Sequence, residues 1–283
     1  MKALKDTLFV LLQYLLPHHA LSRLVGKITH CRWRPLKNIL IRLFIRAYGI
    51  DLEEAASADP DDYACFNDFF TRALRSGARP LPDDPNAVVS PADGRISQIG
   101  RLTGQWLIQA KGRDFSAAAL LGDEALGAAF TDGEFATVYL SPRDYHRVHI
   151  PYRGRLREMI HIPGRLFSVN DATAEGMDNL YARNERVVCL FDTDAGPMAV
   201  VLVGALLVAS IEVVWHGVVT PPTGRDIRRW RYDDEEIVLE RGAELGRFNM
   251  GSTVIVLFPQ DAVEWVREAG QAVRMGEILG RRC

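Results

Sequence analysis

Lysine is scarce in this chain: it has five, and none among the 172 residues that follow Lys111. A mechanism that holds a cofactor on a lysine in the main body must therefore use Lys111 or do without. Cysteine is almost as sparse. The four, at 31, 65, 189 and 283, show no CxxC or paired spacing, which argues against a zinc site or a disulfide framework and fits a reducing compartment. Long apolar runs are missing as well. The block from Leu8 to Leu16 stops at Pro17, short of the ~20 residues that span a bilayer, and it lacks the small-residue cleavage site of a secretory signal. Nor is one sign of charge in excess: 34 Lys plus Arg oppose 36 Asp plus Glu, a net −2 over 283 residues, so no nucleic-acid partner is expected. What remains, 48% hydrophobic and 25% charged, is the composition of a folded domain rather than of a disordered or multi-span protein.

The charge is unevenly placed. Residues 1–50 hold nine basic side chains and one acid, Asp6, so this arm is +8 and residues 51–283 are −10. The arm is also apolar, with a second block at Ile39, Ile41, Leu43, Phe44 and Ile45 laced with arginine. Basic amphipathic helices of this kind lie in the interface of an anionic membrane; the plainer alternative is a pair of ordinary helices with a solvated basic face. Helix is expected to continue from Asp51 to Arg79, where Phe66, Phe69, Phe70 and Leu74 recur at 3 and 4 spacing. From Val88 the texture turns to short β-rich runs separated by Gly, Pro and Asp, such as FATVYL and STVIVLF. The expected class is α+β: a helical, membrane-associating region at 1–50, then a mainly antiparallel β body at 51–283. The charged segment 224–244 reads as an exposed loop or hairpin.

Three motifs could carry chemistry. In Ser90-Pro-Ala-Asp93-Gly94 the plain reading is a tight turn with Asp93 bonding local backbone. In SPRDYHRVHIP (141–151), Ser-Pro suits a helix start, and a helical turn would put His146 and His149 on one face. No third ligand is obvious nearby, so no metal is expected. In FNMGSTVIVLF (248–258), Gly251-Ser252 stands at the entrance of a strand apolar on both faces, and a glycine leaves its carbonyl open to attack. An Asp, a His and a Ser far apart in sequence could assemble the nucleophile, base and orienter of a membrane-surface serine hydrolase using Ser252, His149 and Asp93. The GxSxG elbow of the α/β-hydrolases is missing. GQAVRMGEILG (270–280) is similar to the closing hairpin of biotinyl and lipoyl carriers, with Arg274-Met275 and no lysine to modify.

These same residues carry a resemblance over most of the chain. FNDFFTR, ARPL, SPADGRI, SPRDYHRVHIP, PGRLFSVN, VGALLVASI and MGSTVIVLF, in this order, resemble the bacterial phosphatidylserine decarboxylases; many members have Leu where this chain has Met250. The resemblance implies a proenzyme that cuts itself between Gly251 and Ser252, giving fragments 1–251 and 252–283, a heterodimer whose further homodimerisation is left open. Ser252 would attack the Gly251 carbonyl, His149 taking its proton and Asp93 holding the imidazole. β-Elimination of the ester, then hydrolysis, would leave Ser252 as a pyruvoyl group. That group would be the electron sink for decarboxylation, a role pyridoxal phosphate fills elsewhere from a lysine. The resemblance further assigns His146 to the decarboxylation step, as proton donor to Cα, and Ser168 and Asn170 to the substrate pocket. The implied substrate is phosphatidylserine in an anionic membrane, with phosphatidylethanolamine and carbon dioxide as products. The expected location is peripheral, on the cytoplasmic face of the cell membrane.

Overall fold

A computed structural model describes residues 2–207, 210–220, 226–249 and 252–283. The arm forms three helices, α1 (Lys2–Leu15), α2 (His18–Thr29) and α3 (Arg34–Tyr48). Pro17 separates the first two. Pro35 sits in the first turn of α3, where a missing N–H is harmless, and Gly49 ends it at φ 63°, the left-handed cap that glycine adopts without strain. The inner face of α3, with buried Ile41, packs on Phe66, Phe69 and Phe70. On its outer face Ile39 and Leu43 are exposed. Among the described residues no helix is long and apolar enough to cross a membrane.

Helix does not continue to Arg79. Between 51 and 79 the structure has only a 3-10 turn, Pro60–Asp62, and a short helix, α4 (Phe66–Phe70). Asp51 and Asp59 accept backbone N–H groups two residues on, local bonds that compete with helix. The phenylalanine spacing reflects an aromatic cluster, in which Phe44 meets Phe66, Phe69 and Phe70 edge-on, more than a long amphipathic face.

From Ala87 onward the expected antiparallel β body is present. Its main sheet has nine strands. At its centre Thr253–Phe258 pairs with Glu134–Tyr139 on one side and Gly196–Val203 on the other, both antiparallel. Its side chains alternate between two cores, Ile255 and Leu257 in one and Val254, Val256 and Phe258 in the other, which is why the run is apolar on both faces. A four-stranded sheet carries Arg147–His149 beside Glu244–Phe248. The charged segment does form a hairpin-like edge: Arg228–Arg231 and Val238–Leu239 both pair with Gly154–Ile162. Segment 270–280 is not a carrier hairpin. Ala272–Val273 joins the main sheet beside Gly94–Arg101, whereas Ile278–Arg282 pairs with Ala87–Val89 and Val263–Trp265 in another sheet.

Candidate active site

Ser252 lies immediately before the central strand and is fully buried, and its hydroxyl has no hydrogen-bond partner among the described residues. Asn249 and Ser252 are each held by hydrogen bonds. Asn249 accepts from Asn67 of α4 at 2.8 Å, and its side-chain amide donates to the Ser210 hydroxyl. On the far side Leu140 N–H donates to the Ser252 carbonyl at 2.9 Å. Gly251, the other half of the expected scissile bond, lies outside the described residues with Met250. Leaving a hydroxyl dry and unpaired costs about 1–3 kcal/mol, so a fold that keeps one there invites a chemical reason.

The Ser252 side of this strand opens on a cleft of about 160 Å³, lined among others by Phe44, Tyr48, Phe70, Tyr139, Ser168 and Ser252. Leu207 also lines it, at φ 68°, a left-handed conformation strained for leucine. Ser168 thus lines the same cleft as Ser252. Asn170 serves differently: its Oδ1 caps the short helix Asp171–Gly176, accepting from Thr173 N–H at 3.0 Å and from the Thr173 hydroxyl at 3.0 Å. Asn170 N–H donates to Ser168 Oγ at 3.4 Å, so it supports the pocket residue and does not line the cleft.

The two histidines do not share a helical face. His149 lies in the strand Arg147–His149 and His146 in the turn before it. His146 is fully buried, stacked on Phe70 with ring centroids 4.0 Å apart, and neither nitrogen has a hydrogen-bond partner. Burial, with a lesser push from the nearby Arg72 charge, drives its pKa down to about 3, and the nearby backbone of Pro142 and Ser141 counters this in part. Phe70 is common ground, stacking on His146 and lining the Ser252 cleft.

His149 departs from expectation in its orienter. Its Nδ1 faces the Gly242 carbonyl at 2.8 Å and its Nε2 the Tyr145 hydroxyl at 3.0 Å. A carbonyl only accepts, so Nδ1 carries the proton, and Nε2 is left as the basic nitrogen, taking a hydrogen bond from Tyr145. Burial lowers the His149 pKa and keeps it a neutral base, while burial raises that of Tyr145 and keeps it a donor. Asp93 makes no hydrogen bond to the imidazole. Both its oxygens are taken by Arg79, Nε at 2.9 Å to one, and Met275 N–H donates to Oδ1 at 2.8 Å. Arg79 also reaches Glu54 at 2.8 Å. The expected Asp93–His149 bond is therefore replaced by Gly242, because the carboxylate is turned onto a buried guanidinium. Asp93 still acts on His149 through space, its charge favouring the imidazolium together with that of Glu244.

Asp93, Arg79 and Tyr145 line a second, polar cleft of about 580 Å³, and Tyr139 lines both clefts. Gly94 matters here for room: a Cβ on it would run into the carbonyl oxygen of Tyr139. The sequence reading passed over Tyr145, although it stands inside the SPRDYHRVHIP motif, and over Gly242, which no local pattern marks. Phe44 and Tyr48 were read as membrane arm, yet they wall the site.

Comparison with known proteins places the chain in a family. A family model described as Phosphatidylserine decarboxylase matches residues 66–281, and another described as PSD matches residues 8–49. The phosphatidylserine decarboxylase proenzyme of Ectopseudomonas mendocina is 58% identical over 98% of this chain and 99% of its own. Those of Pseudomonas entomophila and Pseudomonas fluorescens are each 57% identical over 98% of this chain. An α+β chain with these motifs, a buried unpaired serine heading its central strand and full-length identity at this level belongs to the phosphatidylserine decarboxylase family of carboxy-lyases.

Proposed function

We propose that the chain is a proenzyme that cuts itself at Gly251-Ser252 and then decarboxylates phosphatidylserine to phosphatidylethanolamine at the surface of an anionic membrane. One observation carries the reading: the fully buried, unpartnered Ser252 hydroxyl at the head of the central strand. In the cut, Ser252 Oγ attacks the Gly251 carbonyl while His149 Nε2, exchanging Tyr145 for the serine, takes the proton. The peptide bond gives way to an ester, and elimination frees the Gly251 carboxylate. Hydrolysis of the resulting dehydroalanine releases ammonia and leaves the pyruvoyl group. The site suits a group made in place, since the serine is held by backbone pairing on both sides of its strand and no lysine is required. The pyruvoyl carbonyl supplies the electron sink for loss of carbon dioxide.

The chain's own residues do the rest. The apolar cleft excludes water from the reacting centre, and Phe44 joins it to an apolar groove of about 340 Å³ between α2 and α3, lined by Val25, Ile28, Leu40 and Leu43. A diacyl lipid can therefore keep its chains among apolar side chains while its head group enters. Ser168 contacts the substrate, with Asn170 holding Ser168. His146 is neutral when buried, and an anionic substrate beside it raises its pKa, so it gains the proton it gives to Cα once the site is occupied.

A denaturing gel tests the reading. The wild-type chain should give two fragments, of 251 and 32 residues, the shorter with an N-terminus that resists Edman degradation. Ser252→Ala should stay whole and release no carbon dioxide. A wild-type chain that stays whole with full release of carbon dioxide would overturn the reading, and one that stays whole, releases none and hydrolyses lipid esters would favour an uncleaved serine hydrolase.

A further inference from the structure

One buried side chain of the arm bonds directly to Ser168 of the cleft. Helix α1 turns Leu8, Leu11, Leu12 and Leu15 outward, the last 81% exposed, and buries Gln13 to 1% on its inner face. A glutamine buried on the inner face of this helix must satisfy both ends of its amide. Its Oε1 accepts the Ser168 N–H at 2.7 Å, and its Nε2 donates to the Thr173 hydroxyl at 3.2 Å. That hydroxyl donates onward to Asn170 Oδ1, and Asn170 N–H returns to Ser168 Oγ. The circuit closes on residues 168–173 with Gln13 as its only member outside that segment. Two histidines of α2 brace the same stretch: His18 Nδ1 accepts from Leu166 N–H at 3.3 Å, and His19 Nε2 bonds the Gly164 carbonyl at 2.9 Å. His18 also bonds the Gln13 carbonyl at 2.7 Å, so helices and loop move together.

Residues 163–170 have no regular ladder of their own apart from an isolated bridge at Arg165. Asn184 and the backbone of Arg183 and Glu185 hold Arg165 and Phe167, while the arm supplies the side-chain bonds to Gly164, Leu166 and Ser168. An isolated helix as short as α1 is marginal in water, and burying its outer leucines in lipid stabilises it. We propose that Gln13 is a positioning residue through which the seating of α1 on a lipid surface sets the loop carrying Ser168 and so raises turnover at Ser252. This rests on the reading of the Ser252 cleft as the substrate site. The enzyme is then faster on lipid at a surface than on the same head group free in solution, for a reason internal to the fold and additional to local concentration.

The test uses the full-length, self-cleaved enzyme and two substrates: phosphatidylserine in mixed phosphatidylserine–phosphatidylcholine vesicles, and dihexanoyl phosphatidylserine kept monomeric. Gln13→Leu keeps the bulk and removes both amide bonds. Its kcat on vesicles should fall about tenfold, the size that one lost buried hydrogen bond permits, toward the kcat on monomers. Monomer kcat and KM, fragment yield on the gel and co-sedimentation with vesicles should stay within about twofold of wild type. An unchanged vesicle kcat, or an equal loss on both substrates, overturns the coupling. Hydrogen exchange on the wild-type enzyme gives a second readout that needs no variant. Peptides covering 164–176 should gain protection when vesicles are added, and unchanged exchange there also overturns the proposal. A wild-type enzyme that releases no carbon dioxide from phosphatidylserine would instead sink the substrate assignment.

Discussion

At the scale of residues, the site is a set of polar groups held dry. His18, His146 and His149 all have pKa values lowered, in each case chiefly by burial, that of His146 to about 3. The unfolded chain therefore binds protons on these rings below about pH 6.5 that the folded chain refuses, and stability is full above that pH and lost as pH falls toward the folded values. Each histidine contributes a slope of up to about 1.4 kcal/mol per pH unit. Urea denaturation of the uncut Ser252→Ala chain between pH 6.5 and 5, above most carboxylate titration, should show the midpoint falling with pH. His146→Gln should make that dependence shallower, and an unchanged slope would show that the His146 ring is not held neutral by the fold. Asp93, His146, His149 and Ser252 stand out in contiguous motifs, but their pairings do not. Asp93, placed by pattern on His149, is held instead by Arg79 and Met275 N–H, and the carbonyl that replaces it belongs to Gly242, 93 positions from His149. Backbone carbonyls carry no sequence signature, so a orienting role filled by one is invisible in a list of side chains.

Among elements, α1 to α3 do two jobs with two faces. Outward they show Leu11, Leu12, Leu15, Ile39 and Leu43 amid arginine and lysine; inward they carry Gln13, Ile41, Phe44 and Tyr48 to the core and the cleft. Each exposed leucine moved into lipid contributes on the order of 1 kcal/mol. Replacing Leu11, Leu12 and Leu15 together by Ser should thus weaken binding to anionic vesicles about a hundredfold, measured by co-sedimentation, and high salt should weaken what binding remains. Unchanged sedimentation would take the arm off the membrane. The arm's amphipathic pattern was legible because helix periodicity is local. The stretch 51–79 misled for the same reason: phenylalanines at helical spacing were read as one long helix, whereas Phe66, Phe69 and Phe70 are ordered by contact with Phe44. The turn before His149 behaves likewise, its path set by the His146 carbonyl bonding Phe248 N–H across to the neighbouring strand.

For the whole molecule, the expected break falls beside a strand buried along its full length. Thr253–Phe258 is hydrogen-bonded on both edges and feeds both hydrophobic cores, and the rest of the short fragment is woven through two sheets. Cutting at Gly251-Ser252 should therefore leave the 251- and 32-residue pieces in one folded body. They should co-elute on gel filtration in native buffer and part only in denaturant; separation without denaturant would contradict this placement. By itself the sequence determined the class, the order of motifs and the uneven charge, because composition, periodicity and contiguous motifs are properties of neighbouring residues. Only the tertiary structure decided that Asp93 belongs to Arg79, that Gly242 orients His149, that Phe70 joins His146 to the Ser252 cleft and that Gln13 ties the arm to Ser168. Those partners lie far apart along the chain, and only the packing of sheet, helix and loop brings a donor within 3 Å or so of its acceptor.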